Sequence, residues 1–224
     1  MPLLVIGNKN YSSWSLRPWL LLRHFGVAFD ELRLKLDTPE FHAEIDKWSL
    51  TRTVPVLHDD GLVVPDSLAI CEYANERWLD GRGWPADLRT RAKARAAAAE
   101  MHSGFRALRT QLPMNCRRQP DNYRWDANAQ ADMDRIQQLW GELRSEHADQ
   151  GALQGSDFLC GSFGIVDAMF APVVMRFIGY GVALDDNATR YVEAITALPA
   201  MREWRAAAEA EPEHIAATDN LVQA

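Results

Sequence analysis

Val54-Pro55-Val56-Leu57-His58-Asp59-Asp60-Gly61-Leu62-Val63-Val64-Pro65-Asp66-Ser67 is the stretch on which the fold turns. Two short apolar runs, Val54 to His58 and Leu62 to Val64, flank Asp59-Asp60-Gly61. Gly61 accepts the positive φ that a tight hairpin turn demands. Pro55 has no N–H to give a central strand, so it belongs at the strand's first residue. On the ordinary preference of X-Pro bonds, its link to Val54 reads as trans. Asp66-Ser67 then opens Leu68 to Trp78, where Ile70, Cys71, Ala74, Arg77 and Trp78 recur at helical spacing. A hairpin therefore feeds a helix with a polar first turn, and the plain role of Asp66-Ser67 is to cap it.

Upstream, Leu3-Leu4-Val5-Ile6 reads as a buried strand closed by Gly7, and Trp19 to Phe25 as a helix ending at Gly26. Between them lies the polar segment Asn8-Lys9-Asn10-Tyr11-Ser12-Ser13-Trp14-Ser15-Leu16-Arg17-Pro18. Free N–H groups and the positive end of the helix dipole point there, which favours an anion. The serines can add hydroxyl donors, or one of them simply caps the helix. Phe29 to Leu36 alternates like a strand, and Phe41 to Trp48 suits a short amphipathic helix. The order strand, helix, strand, helix, hairpin, helix is an α/β unit.

Downstream, Gly81-Arg82-Gly83-Trp84-Pro85 reads as a linker, and strand signals then vanish. Ala86 to Leu112 reads as one long helix stopped by Pro113; Ala127 to Asp149 is amphipathic; Ile165 to Ile178 is almost wholly apolar, as in a helix buried on every side. Thr189 to Leu198 and Ala200 to Ala210 make two more helices, parted by Pro199. The expected organisation is an α/β domain over residues 1–80 and an all-helical domain over 86–224.

The 224 residues suffice for one sizeable core or two modest domains. A net charge of −7 argues against non-specific binding of nucleic acid or an anionic membrane, which needs a basic face. Cys71, Cys116 and Cys160 are far apart and odd in number, as expected of unpaired thiols in a reducing compartment. No signal-peptide pattern or membrane-length apolar run is present, so a cytoplasmic location is expected. The six histidines are scattered, and no metal site is expected. Nor is there a Gly-x-Ser-x-Gly, Gly-x-x-x-x-Gly-Lys, Gly-x-Gly-x-x-Gly or His-Glu-x-x-His motif.

What remains is three motifs: Tyr11-Ser12-Ser13-Trp14-Ser15-Leu16-Arg17, Thr53-Val54-Pro55-Val56-Leu57 and Asp66-Ser67. With an α/β unit followed by helices, they make the chain resemble the cytosolic glutathione S-transferases over essentially its whole length. The resemblance is to the bacterial, serine-type members. It implies a thioredoxin-like domain that binds glutathione as cosubstrate, a helical domain that shapes a pocket for a small hydrophobic electrophile, and a homodimer. It places thiol activation on Ser12, with Ser13 as its neighbour and fallback, and makes Pro55 the family's cis-proline. Val54 would bond the cysteinyl backbone of glutathione, and Asp66 and Ser67, facing outward, its γ-glutamyl end. Thr53 stands where the family has the Lys or Gln that takes the glycine carboxylate, and Arg52 is the substitute cation. His102, Phe105, Arg106 and Arg109 either form an ordinary helix face or line the electrophile pocket. The family's Ser or Thr cap before the buried helix is Gly164 here, three residues before Asp167.

The chemistry stands on its own terms. A thiol of pKa about 8.5 is only a few per cent thiolate at neutral pH. Lowering it by about two units takes roughly 2.7 kcal/mol, within reach of a hydroxyl donor and a helix dipole. A dithiol oxidoreductase would need Cys at position 12. A maleylacetoacetate isomerase of the zeta class has Cys where Trp14 stands. A non-enzymatic protein binding glutathione or hydrophobic ligands is the third alternative.

Overall fold

The computed structural model describes residues 1–149 and 156–221. The first part runs β1 (Leu3–Ile6), α1 (Ser13–His24), β2 (Asp30–Arg33), α2 (Pro39–Ile45), β3 (Val56–Asp59), β4 (Leu62–Pro65) and α3 (Ser67–Arg77). The sheet order is β2-β1-β3-β4, with β1 parallel to β2 and antiparallel to β3. In the β3–β4 hairpin both turn residues, Asp60 and Gly61, have positive φ (47° and 80°). That is the backbone twist a two-residue hairpin loop requires. Alternation along β1 sends Leu4 and Ile6 into the main core with α1 and α3. Val5 points to the other face, where it joins Leu34, Ile45 and Val56.

The helical part runs α4 (Leu88–Ser103), α5 (Arg106–Gln111), α6 (Ala127–Asp149), α7 (Ile165–Tyr180), α8 (Asp186–Ala197), α9 (Pro199–Ala210) and α10 (Ala216–Asp219). The architecture is a thioredoxin-like α/β domain followed by an all-helical domain. Buried α7 packs against α1, α3, α4 and α8, so one continuous core joins the two parts. Among the described residues no helix is long and apolar enough to cross a membrane.

Three expectations change, and a fourth gains a reason. The single helix over Ala86 to Leu112 is broken at Gly104 and Phe105. A Cβ at Gly104 would lie 2.7 Å from the carbonyl oxygen of Glu100, and Phe105 is left-handed with φ 54°. The first helix starts at Ser13, six residues before Trp19, with the serine loop supplying its cap. The Val54–Pro55 bond is cis, as the resemblance and not the local sequence implied. Finally, Gly164 has a steric reason. A Cβ there would meet the carbonyl oxygen of Gly83 at 2.7 Å, and that oxygen accepts the Ile165 N–H. Asp167 accepts the N–H groups of Gly164 (2.9 Å) and Leu159 (3.0 Å) in the same corner.

Candidate functional site

The loop after β1 turns on Asn8, whose carbonyl accepts the N–H groups of Tyr11 and Ser12. Ser12 then caps α1. Its hydroxyl accepts the Ser15 N–H at 3.4 Å and donates to Ser15 Oγ at 2.7 Å. Ser15 Oγ accepts the Gly7 N–H in turn. The Ser12 hydroxyl is thus engaged inside the loop, and the residue is only 6% exposed. Ser13, half-buried, lines a cavity, and among the described residues its hydroxyl has no hydrogen-bond partner. Tyr11 is not free: its phenol donates to Asp219 at 2.9 Å and accepts from Arg117 at 2.7 Å. The segment after α9 clasps this loop from outside. The Glu211 carboxylate accepts the N–H groups of Lys9 (2.7 Å) and Asn10 (3.1 Å).

A groove of about 390 Å³ is lined by Trp14, Thr51, Thr53, Val54, Pro55, Pro65, Asp66 and Ser67. Three segments far apart in sequence meet there because the start of β3 and the end of β4, paired at Val56 and Pro65, lie beside the start of α1. Asp66 caps α3 from a left-handed conformation (φ 77°), accepting the N–H groups of Leu68 and Ala69. His102 of α4 reaches its other carboxylate oxygen at 3.2 Å. Ser67 departs from the outward orientation expected of it. It is fully buried, and its hydroxyl accepts from Arg17 Nη1 at 3.3 Å. Arg52 does not line the groove; its guanidinium pairs with Asp46 at 2.8 Å on the surface. The groove end beside it carries the Thr51 and Thr53 hydroxyls, bonded to each other at 2.9 Å.

Across Trp14 lies a second cavity of about 450 Å³ between α1, α5 and α7. Arg106 and Arg109 line it. His102 does not, although its ring meets Trp14 edge-on at 5.3 Å. Phe105 is 7% exposed and belongs to the core. Arg176 lines the cavity too, and Arg17 lies over the Trp14 ring at 4.3 Å. Burial holds the Arg17 guanidinium well below its usual range, to about 9, with Arg176 and Arg109 adding repulsion. Burial likewise lowers Arg176 to about 10.

Sequence reading missed Trp14, Arg17 and Arg176 as site residues. Arg176 had a signal, as a cation within the otherwise apolar run of α7. A further cavity, of about 540 Å³, lies between the end of α1, the 82–87 linker and the 160–166 segment, and holds none of these groups. Among the described residues no cluster of three His, Cys, Asp or Glu side chains is placed to hold a metal ion.

Residues 11–77 match the family model described as glutathione S-transferase, N-terminal domain. A search of the curated proteins finds no match. Among solved structures the chain is similar to a Burkholderia glutathione transferase homolog with bound glutathione. Identity is 23%, coverage 94% of this chain and 99% of that one, and the TM-score 0.70. It is also similar to glutathione S-transferase unclassified 2 from Bombyx mori, at 16% identity, 99% coverage of both chains and TM-score 0.74. Human glutathione-S-transferase T1-1 matches at 16% identity, over 98% of this chain and 91% of that chain, with TM-score 0.67. The fold of the whole chain is the glutathione S-transferase fold, and its first domain matches that family's N-terminal domain by sequence.

Proposed function

We propose that the chain is a serine-type glutathione transferase, binding glutathione in the Trp14–Ser67 groove and activating its thiol for attack on an electrophile in the adjoining cavity. The observation that carries the reading is the convergence of cis Val54–Pro55, Asp66 and Ser67 on one groove that shares Trp14 with the cavity lined by Ser13. Val54 meets the cysteinyl backbone. Asp66 takes the γ-glutamyl ammonium, while the Ser67 hydroxyl and the first N–H groups of α3 take its carboxylate. Thr51 and Thr53, rather than Arg52, stand at the glycine end.

Thiol activation falls to Ser13. Ser12 is the residue the sequence pattern favours, but its hydroxyl is committed to Ser15. Ser13 stays protonated and donates to the thiolate, so no base partner is needed. The buried Arg17 and Arg176 charges supply a positive field that favours the same anion. The domains divide at the 81–85 linker, as 1–80 and 86–224. The reading includes a cytoplasmic homodimer, supported by the exposed apolar side chains of Leu50, Leu62, Val63 and Leu88.

Calorimetry with glutathione and with cysteinylglycine tests the site. Glutathione binds the wild type, and Ser67→Ala weakens it by roughly 1–3 kcal/mol, the cost of a hydrogen bond to a charged group. Cysteinylglycine, lacking the γ-glutamyl head, binds poorly and is indifferent to the change. Equal glutathione affinity in both proteins would place the site elsewhere.

A further inference from the structure

The cavity beyond Trp14 is unusual in its charge. Arg106, Arg109 and Arg176 line it, and among the described residues no Asp or Glu does. The chain as a whole carries −7, so this concentration of positive charge is local and against the overall balance. The guanidiniums are held by neutral groups. Arg176 donates to the carbonyls of Leu112 (2.8 Å) and Pro172 (3.1 Å), and Arg109 to the carbonyl of His102 (3.2 Å). Behind them, Arg17 is 2% exposed; among the described residues its Nε has no partner and its Nη1 donates to the Ser67 hydroxyl. Carbonyls and hydroxyls fix the positions of these cations without neutralising them.

The nearby carboxylates Asp132 and Asp66 attract Arg109 and Arg17 through space without a hydrogen bond to them. Asp132 accepts the Leu108 N–H, Asp219 binds Tyr11 and Asn115, and Asp66 binds the start of α3 and His102. Buried cations that repel one another cost stability unless an anion completes them. The rest of the lining mixes the hydroxyl side chains of Tyr11, Ser13, Ser103, Thr110 and Thr218 with apolar Trp14, Pro113 and Met114. Trp14 also faces the glutathione groove, so a flat group against its ring would be within reach of the thiol.

We propose that the electrophile is an anion: an aromatic or unsaturated acid whose apolar body lies against Trp14 and Met114 while Arg106 and Arg109 take its carboxylate and Arg176 supports the charge from α7. This rests on the glutathione transferase reading and narrows its second substrate from a merely hydrophobic molecule to a carboxylic acid. A carboxylate suits the site because a guanidinium binds it through two parallel hydrogen bonds.

The test compares two product analogues of the same shape, S-(4-carboxy-2-nitrophenyl)glutathione and its 4-carbamoyl counterpart, by calorimetry. The acid binds the wild type at least about tenfold tighter than the amide, and the preference shrinks with added salt. Arg109→Gln and Arg106→Gln each remove most of that preference while leaving the affinity for glutathione itself unchanged. Arg106 is exposed in the first turn of α5, so its variant keeps the test open if Arg109→Gln misfolds. Equal binding of acid and amide to the wild type, with glutathione bound, overturns the charge assignment alone. So does a preference that survives in the Arg106 variant and in every Arg109 variant that folds. Failure of glutathione and both conjugates to bind overturns the underlying reading with it.

Discussion

Ser12 and Ser13 are adjacent, yet the structure gives them separable consequences. Ser13→Ala removes a half-buried hydroxyl that has no hydrogen-bond partner among the described residues, so the folded state loses little, within about 0.5 kcal/mol. In the complex the same change removes a donor to a thiolate. The loss of one oxyanion-type donor costs about a hundredfold or more in turnover, roughly 2.7 kcal/mol or above. Ser12→Ala has the opposite profile. It deletes the cap of α1 and the 2.7 Å bond to Ser15, worth about 0.5–2 kcal/mol of stability. Ser15 still accepts the Gly7 N–H, so the loop keeps its shape and turnover falls only severalfold. Urea melting without ligand and kcat at saturating glutathione with an aryl halide separate the two. A large loss of turnover in Ser12→Ala with Ser13→Ala unaffected would refute the assignment.

Two further outcomes are expected. Glu211→Ala leaves the N–H groups of Lys9 and Asn10 without their acceptor and Arg33 without one of its carboxylates. It should cost about 1–3 kcal/mol in urea melting and lower turnover through the loosened loop; wild-type stability and turnover would show that the clasp is idle. Sedimentation at micromolar concentration should give twice the chain mass of 25.3 kDa, and Leu50→Lys should shift it toward that of one chain. A clean monomer in the wild type would contradict the dimer.

Most of the architecture was legible because it depends on local signals. The Asp60-Gly61 turn, the Asp66 cap and the apolar run of α7 each state their structure within a few residues. The break at Gly104 was not, because the Ala- and Arg-rich run around it favours helix on both sides and one glycine is a weak stop. Asp66, Ser67, Val54 and Pro55, which line one groove, were singled out through a motif. The roles of Ser12 and Ser13 were not separable there. Which hydroxyl points inward depends on the phase of α1, and that is fixed by Ser15 and Gly7 across the loop. Arg17 and Arg176 meet only through the packing of α1 on α7, a long-range contact with no sequence spacing of its own.

The central claim is that this groove binds glutathione and lowers the pKa of its thiol. Ultraviolet titration of the bound thiol near 240 nm, a wavelength of roughly the thiolate band, reads it directly against free glutathione at about pKa 8.5–9. The account predicts a midpoint below about 7 in the wild type, moving up by about one unit or more in Ser13→Ala but not in Ser12→Ala. A bound thiol that ionises where the free one does would contradict it.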